Sequence, residues 1–294
     1  MAKTRELRRR IRSIAKTRQI TKTMEMVATS RLKRAQGRVV AARPFARALG
    51  EMLADLHDPA QAERFPLLRT PPGRPRRVVL IGITSNRGLC GAFNANLIRE
   101  IRGRAAELEQ QGTAVELHLI GRKGIGFFRF LGREIAAQRQ DIGDRPTTAH
   151  ATEIVTPLMQ RFAREEVDGV EVVFARYVSA LTTPPTLLPI LPIGPRTGGP
   201  ADAKPTAVDN YILRPSADAL VERLLPMYVQ NQMFRALLET AASEQGARRT
   251  AMKNATDSAG DMIDVLRRTY NRARQGQITQ ELAEIVGGAE AQKG

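Results

Sequence analysis

Glycines placed between an apolar run and a helical run are where a phosphate is cradled, and this chain has two such places. Gly88-Leu89-Cys90-Gly91 follows Arg77 to Thr84, which reads as a buried strand, and precedes a helical stretch from Phe93 to Leu108. Gly121-Arg122-Lys123-Gly124-Ile125-Gly126 follows a second strand-like run, Val115 to Ile120. Backbone N–H groups exposed at such a turn bind anions, which is the chemistry of nucleotide sites. Neither cluster has the G-x-G-x-x-G spacing, and no G-K-[ST] occurs in the chain. Tight strand-to-helix turns account for both clusters, and no nucleotide site is expected.

Other chemistry is equally sparse. His57, His118 and His150 lie far apart and away from Cys90, so metal-ligand spacing and a Ser/His/Asp signature are both missing. Asp257, Asp261 and Asp264 stand about a turn apart, as charged flanks of a paired helix do. No catalytic residue, metal or cofactor is expected. Cys90 alone makes no internal disulfide, which fits a reducing cytoplasm. No run of eighteen apolar residues is present, and the basic start lacks the apolar core of a secretory signal.

Charge is the stronger signal. The net charge is +16, yet residues 1–48 hold fifteen Lys and Arg against Glu6 and Glu25, while residues 216–294 hold ten basic and ten acidic residues. Such asymmetry calls for an acidic partner at the N-terminal segment, either nucleic acid or an acidic protein surface. A basic nucleic-acid-binding coiled coil is therefore one reading. An α/β enzyme with helical arms is another.

The elements behind these residues fall into three parts: 1–58, 76–213 and 214–294. Aromatics are only 4% of the chain and Trp is absent, a composition suited to long helices of Ala, Leu, Ile and Met. Residues 3–43 carry one glycine and no proline, with Pro44 as the expected stop. Apolar residues recur at Leu7, Ile11, Ile14, Ile20, Met24, Val27, Ala28, Leu32, Ala35 and Val39, in steps of three and four with one slip after Ile14. Forty-one helical residues extend about 60 Å. From Met227 to Val286 a second long helix is expected, about 90 Å, with a heptad seam through Met252, Ala255, Ala259, Met262 and Leu266. The middle part reads strand, helix, strand, helix, helix, strand, with helices at 93–108, 123–135 and 152–164 and strands at 115–120 and 170–177. Leu187 to Pro192 suits an edge strand, and 193–206 a loop. The fold class is thus a mixed α and β one: a long antiparallel coiled coil of N- and C-terminal helices with an inserted Rossmann-like α/β domain.

Three stretches carry a resemblance. They are IRSIAKTRQITKTMEMVATSRLKRAQ at 11–36, ITSNRGLCGAFNANL at 83–97, and AMKNATDSAGDMIDVLRRTYNRARQGQITQELAEIVGGA at 251–289. In order and spacing they resemble the γ subunits of F-type ATP synthases over essentially the whole length. The resemblance implies a central, non-catalytic rotor shaft standing in a hexamer of three α and three β subunits. Its lower end and α/β domain would meet the ε subunit and the membrane c-ring, on the cytoplasmic face of a bacterial inner membrane, peripherally. Arg274 and Gln275 match positions that hydrogen-bond a loop of the β subunit, and Thr279 and Glu281 match neighbouring polar contacts. Met24 matches a position where a methionine packs near an acidic loop of the β subunit, and Arg31, Lys33 and Arg34 are basic residues just beyond it. Arg87, Gly88, Cys90 and Gly91 resemble a second contact, and Ile285 and Val286 form an apolar tip in a hydrophobic sleeve. Asn86 stands where the family usually has Asp, and Ala92 where Gly is common.

Overall fold

The computed structural model describes residues 2–56, 64–71, 73–193 and 217–291. His57 and nearly all of the expected 193–206 loop lie outside them. The helices are α1 (Ala2–Leu56), α2 (Phe93–Gln110), α3 (Arg122–Phe130), α4 (Thr148–Ala163) and α5 (Ala217–Ala291). The strands are β1 (Arg77–Ile83), β2 (Ala114–Ile120), β3 (Ala137–Arg139), β4 (Gly169–Ala175) and β5 (Pro185–Leu191). The chain divides into two units, one of Met1–Ala28 with Arg249–Gly294 and one of Thr29–Arg248.

The larger unit is built on a five-stranded sheet of order β3-β2-β1-β4-β5. Four strands are parallel, and β5 runs antiparallel at the edge. Alternation along each strand sends successive side chains to opposite faces. Val79, Ile81 and Ile83 join Val155, Leu158 and Phe162 of α4, with Val229, Met233 and Leu237 of α5, on one face. Leu80, Leu117 and Leu119 meet Leu97 and Ile101 of α2 and Phe128 of α3 on the other. Packing there is close enough that a Cβ on Gly82 would sit 2.4 Å from Ile101 Cδ1.

Proline did not stop the long helices. α1 continues through Pro44 to Leu56, and α5 begins at Ala217 and runs through Pro226. A helix-interior proline costs about 3 kcal/mol. Buried Val39 and Leu49 bracket Pro44, and buried Val221, Leu225 and Val229 bracket Pro226, so apolar burial on both sides offsets that cost. α3 ends at Phe130, short of the expected 135, where Gly132 turns at φ 67°. α4 starts at Thr148 because Thr147 caps it: the Thr147 hydroxyl accepts from His150 N, and His150 Nδ1 accepts from Thr147 N. β3, only Ala-Gln-Arg, carries no apolar alternation to announce it.

In the smaller unit, α1 and α5 pair antiparallel: Thr4 Oγ1 lies 3.2 Å from Gln277 Oε1, and the Thr21 and Thr256 hydroxyls are 2.8 Å apart. The seam on α5 runs through Met252, Thr256, Ala259 and Ile263, in steps of four, three and four. Thr256 and Ile263 thus replace the expected Ala255 and Met262, and Met262 is 53% exposed. On α1 the inward positions are Leu7, Ile11, Ile14, Thr21 and Ala28, while Ile20 is 60% exposed. The slip after Ile14 was therefore only apparent. A polar turn holds the heptad phase, and hydropathy hides it. The same register carries Met24 past the 262–273 face of α5 toward the turn holding Met252. Cysteines replacing Thr21 and Thr256 in a Cys90→Ser background are expected to crosslink efficiently on mild oxidation, measured as a loop-closed species on gels. A Met24→Cys/Met262→Cys pair should stay open, and the reverse result would refute this register.

Candidate functional site

In a parallel α/β sheet, ligands bind beyond the carboxyl ends of the strands, where the strand order reverses. Here that edge holds a cavity of about 350 Å³ lined by Arg31, Thr84, Asn86, Arg87, Asp144 and Glu244, among others. Its rim is largely occupied by the chain itself. Where β4 ends, Ala175 N donates to Thr240 Oγ1 (3.3 Å), Ser243 Oγ donates to Ala175 O (3.0 Å), and Tyr177 N donates to Glu239 Oε2 (3.1 Å). All three acceptor or donor side chains come from α5.

The Gly121–Gly126 cluster is filled in the same manner. The first-turn amides of α3 are spent internally: Arg122 N on Asn86 Oδ1 (2.9 Å), Lys123 N on Ser85 O (3.1 Å) and Gly124 N on Thr84 Oγ1 (2.9 Å). Gly121, at φ 97°, is glycine because a Cβ would sit 2.1 Å from Thr84 O. The first-turn amides a phosphate would need at this cluster are thus satisfied by the exit of β1. In the first cluster Leu89 and Gly91 both take positive φ (62° and 59°), and the turn swings Cys90 inward beside Ser85 and Asn94.

Charge at this edge is paired. Arg31 of α1 donates to Asp144 Oδ2, and Gln245 Nε2 of α5 donates to Asp144 Oδ1 at 3.0 Å. Arg248 Nη2 binds Glu244 Oε1 (2.7 Å) and the Gly88 carbonyl (3.2 Å). Burial pushes the Glu244 carboxyl above the usual carboxylate range, and Arg248 partly offsets it. Burial likewise pushes the Cys90 thiol up.

The residues expected to touch partners are distributed unevenly. Cys90, at 2% exposure, packs in the core and shapes the turn. Arg31 is not a free cation, being engaged by Asp144. Lys33, Arg34, Arg87 and Gly91 are exposed, Gly88 half-buried, and Met24 half-buried. Arg274, Gln275, Thr279 and Glu281 are exposed on α5, with Thr279 Oγ1 donating to Gln275 O and Gln277 Nε2 to Glu281 Oε1. Ile285 and Val286 are exposed. Sequence reasoning missed Ile20, Met262 and Val265, large apolar side chains left exposed on the helix pair, because period alone assigned the first two inward.

These features define a class: a Rossmann-like domain, the end of its β4 tied to α5, inserted between two long antiparallel helices. The profile of the family described as ATP synthase matches residues 3–292. The ATP synthase gamma chain of Gemmatimonas aurantiaca is 58% identical over 294 residues, all of each chain. That of Leptospira biflexa is 42% identical over 241 residues, 82% of each. In fold, the chain is similar to one from the Euglena gracilis mitochondrial ATP synthase (OSCP/F1/c-ring), with TM-score 0.69, 21% identity, and coverage of 99% of this chain and 94% of that one. It is also similar to one from the Tetrahymena thermophila mitochondrial ATP synthase central stalk and c-ring, with TM-score 0.60, 22% identity, and coverage of 80% and 99%. The chain belongs to the ATP synthase γ-chain family. A nucleic-acid grip is no longer needed to explain the basic segment.

Asn86 is fixed by its local contacts. Its Nδ2 donates to Gln140 O (2.9 Å) and Ile142 O (3.0 Å) while its Oδ1 caps α3. A carboxylate donates nothing and would face two carbonyls. Asn86→Asp is expected to destabilise the purified subunit by about 1–3 kcal/mol, measured by urea denaturation at neutral pH. An unchanged midpoint would contradict that role.

Proposed function

We infer that this chain is the central rotor shaft of an F-type ATP synthase, carrying torque between an ion-driven membrane ring and catalytic β subunits, with no catalytic site of its own. The observation that carries this reading is a γ-family chain whose α/β domain ties the end of β4 to α5 and spends the first-turn amides of α3 internally. Such a domain serves as a body to be gripped. Its partners are the hexamer of three α and three β subunits, the ε subunit and the c-ring. It sits peripherally on the cytoplasmic face of a bacterial inner membrane, held there through the complex.

The working principle is population shift. An asymmetric shaft contacts one β subunit differently from the next, and each is biased between open and closed states by the difference in contact free energy. Exposed Lys33 and Arg34, with Met24 nearby, suit an acidic loop on the β subunit, because charge attraction tolerates changes of angle during rotation. Arg87, Gly88 and Gly91, with exposed Leu89, suit a second contact. Arg274, Gln275, Thr279 and Glu281 offer a polar band on α5, followed by the apolar Ile285 and Val286, where no polar group catches the turning tip.

A charge-assisted hydrogen bond from Arg274 to a β subunit is worth about 1.5–3 kcal/mol when made. Rotation breaks and remakes it, so it shapes the barrier between shaft angles. Arg274→Ala should slow steady-state ATP hydrolysis by roughly tenfold and leave single-site hydrolysis, which needs no rotation, nearly unchanged. Lys at that position should recover part of the rate, since it keeps charge and loses the forked geometry. Both regimes would be measured in purified complexes. Equal losses in the two would remove the coupling contact from the account.

A further inference from the structure

One carboxylate in the α/β domain is gripped by both long helices. Asp144 lies between β3 and α4, and it takes Arg31 of α1 on one oxygen and Gln245 of α5 on the other. Arg38, two turns beyond Arg31 on α1, donates to the Asp144 carbonyl at 3.4 Å. The segment carrying Asp144 is itself tied down, because Asn86 donates to the carbonyls of Gln140 and Ile142. Arg248, about one turn past Gln245, reaches the carbonyls of Arg87 and Gly88 on the same side of the sheet. From this convergence we propose that Asp144 is a positioning residue that passes torque between the α/β domain and the paired helices. The proposal rests on the rotor reading.

The reason lies in the kinds of contact available. Leu32, Ala35 and Val39 of α1 pack with Leu238 and Ala242 of α5 and with Tyr177. Apolar burial of this kind resists separation and is non-directional. Hydrogen bonds, charge-assisted ones included, weaken steeply when their angles change, so they resist turning of a helix about its own axis. The contacts of Glu239, Thr240 and Ser243 engage α5, whereas the Asp144 carboxylate engages α1 and α5 together. Twisting either helix against the domain strains that group. The Arg31 and Asp144 side chains keep 38% and 37% exposure, so water can replace the pair and the fold outlasts its loss.

The test uses the whole complex in sealed phospholipid vesicles, with ATP hydrolysis and ATP-driven ion uptake followed together. Asp144→Ala is expected to leave hydrolysis without an opposing gradient near wild type and to lower the largest sustained ion gradient by about twofold, in line with a modest, partly exposed contact. Asp144→Asn, which keeps an acceptor for Gln245 and loses the ion pair, should fall between them. The Arg31→Asp/Asp144→Arg exchange should recover part of what Arg31→Asp alone loses. A wild-type gradient in Asp144→Ala would overturn the proposal, as would parallel loss of assembly, hydrolysis and uptake, which marks a purely structural role. A wild-type complex that hydrolyses ATP with no uptake would sink the shaft reading itself, and this inference with it.

Discussion

β4 ends at Ala175 with backbone groups that have no strand left to pair with, and α5 supplies their partners from its side chains. Buried backbone donors and acceptors must be paired somewhere. Seating a helix across the end of the sheet settles that requirement and fixes the helix at the same time. Thr240 and Ser243 must then be the residues facing β4, which turns Leu237 into the core of one sheet face and Leu238 and Ala242 toward α1. The carboxyl end of β4 becomes a joint within one chain.

Charged residues follow the same logic at lower burial. Glu239, Glu244, Arg248 and Asp144 surround the joint, each with a partner. For Glu239, Glu244 and Arg248, the more buried of these, removing one partner strands the other charge in a low-dielectric setting, which is costlier than never having had the pair. Away from the joint, Glu116 is held by Arg161 and His118, with its pKa lowered to about 2, so that link between β2 and α4 persists well into acid. The paired helices of the smaller unit rely instead on heptad packing, interrupted by Thr21 and Thr256, whose hydroxyls meet at 2.8 Å. A polar pair inside an apolar seam gives up some stability and in return fixes one register.

Much of this was legible in the residues. Strand periods at 77–83 and 115–120 and the edge strand with its prolines all follow from spacing and side-chain type. What stayed hidden has common physical causes. Pro44 read as a stop, and the last helix read as starting only at Met227, because local propensity is visible and burial on both flanks is not. Ile20 and Met262 read as inward because hydropathy cannot see that Thr21 and Thr256 satisfy each other. Cys90 and Arg31 read as surface residues because positive φ at Leu89 and the partner at Asp144, more than a hundred residues on, are tertiary facts. Gln245 and Asp144 have no motif at all, and their meeting needs the fold.

The central claim is that this subunit turns. A bead attached to exposed α2 through a single cysteine at Glu100, in a Cys90→Ser background, can be watched on surface-anchored complexes supplied with ATP. The account predicts sustained rotation in one direction, stopping when ATP is withdrawn. A bead that stays fixed or only wanders while the same complexes hydrolyse ATP would contradict it.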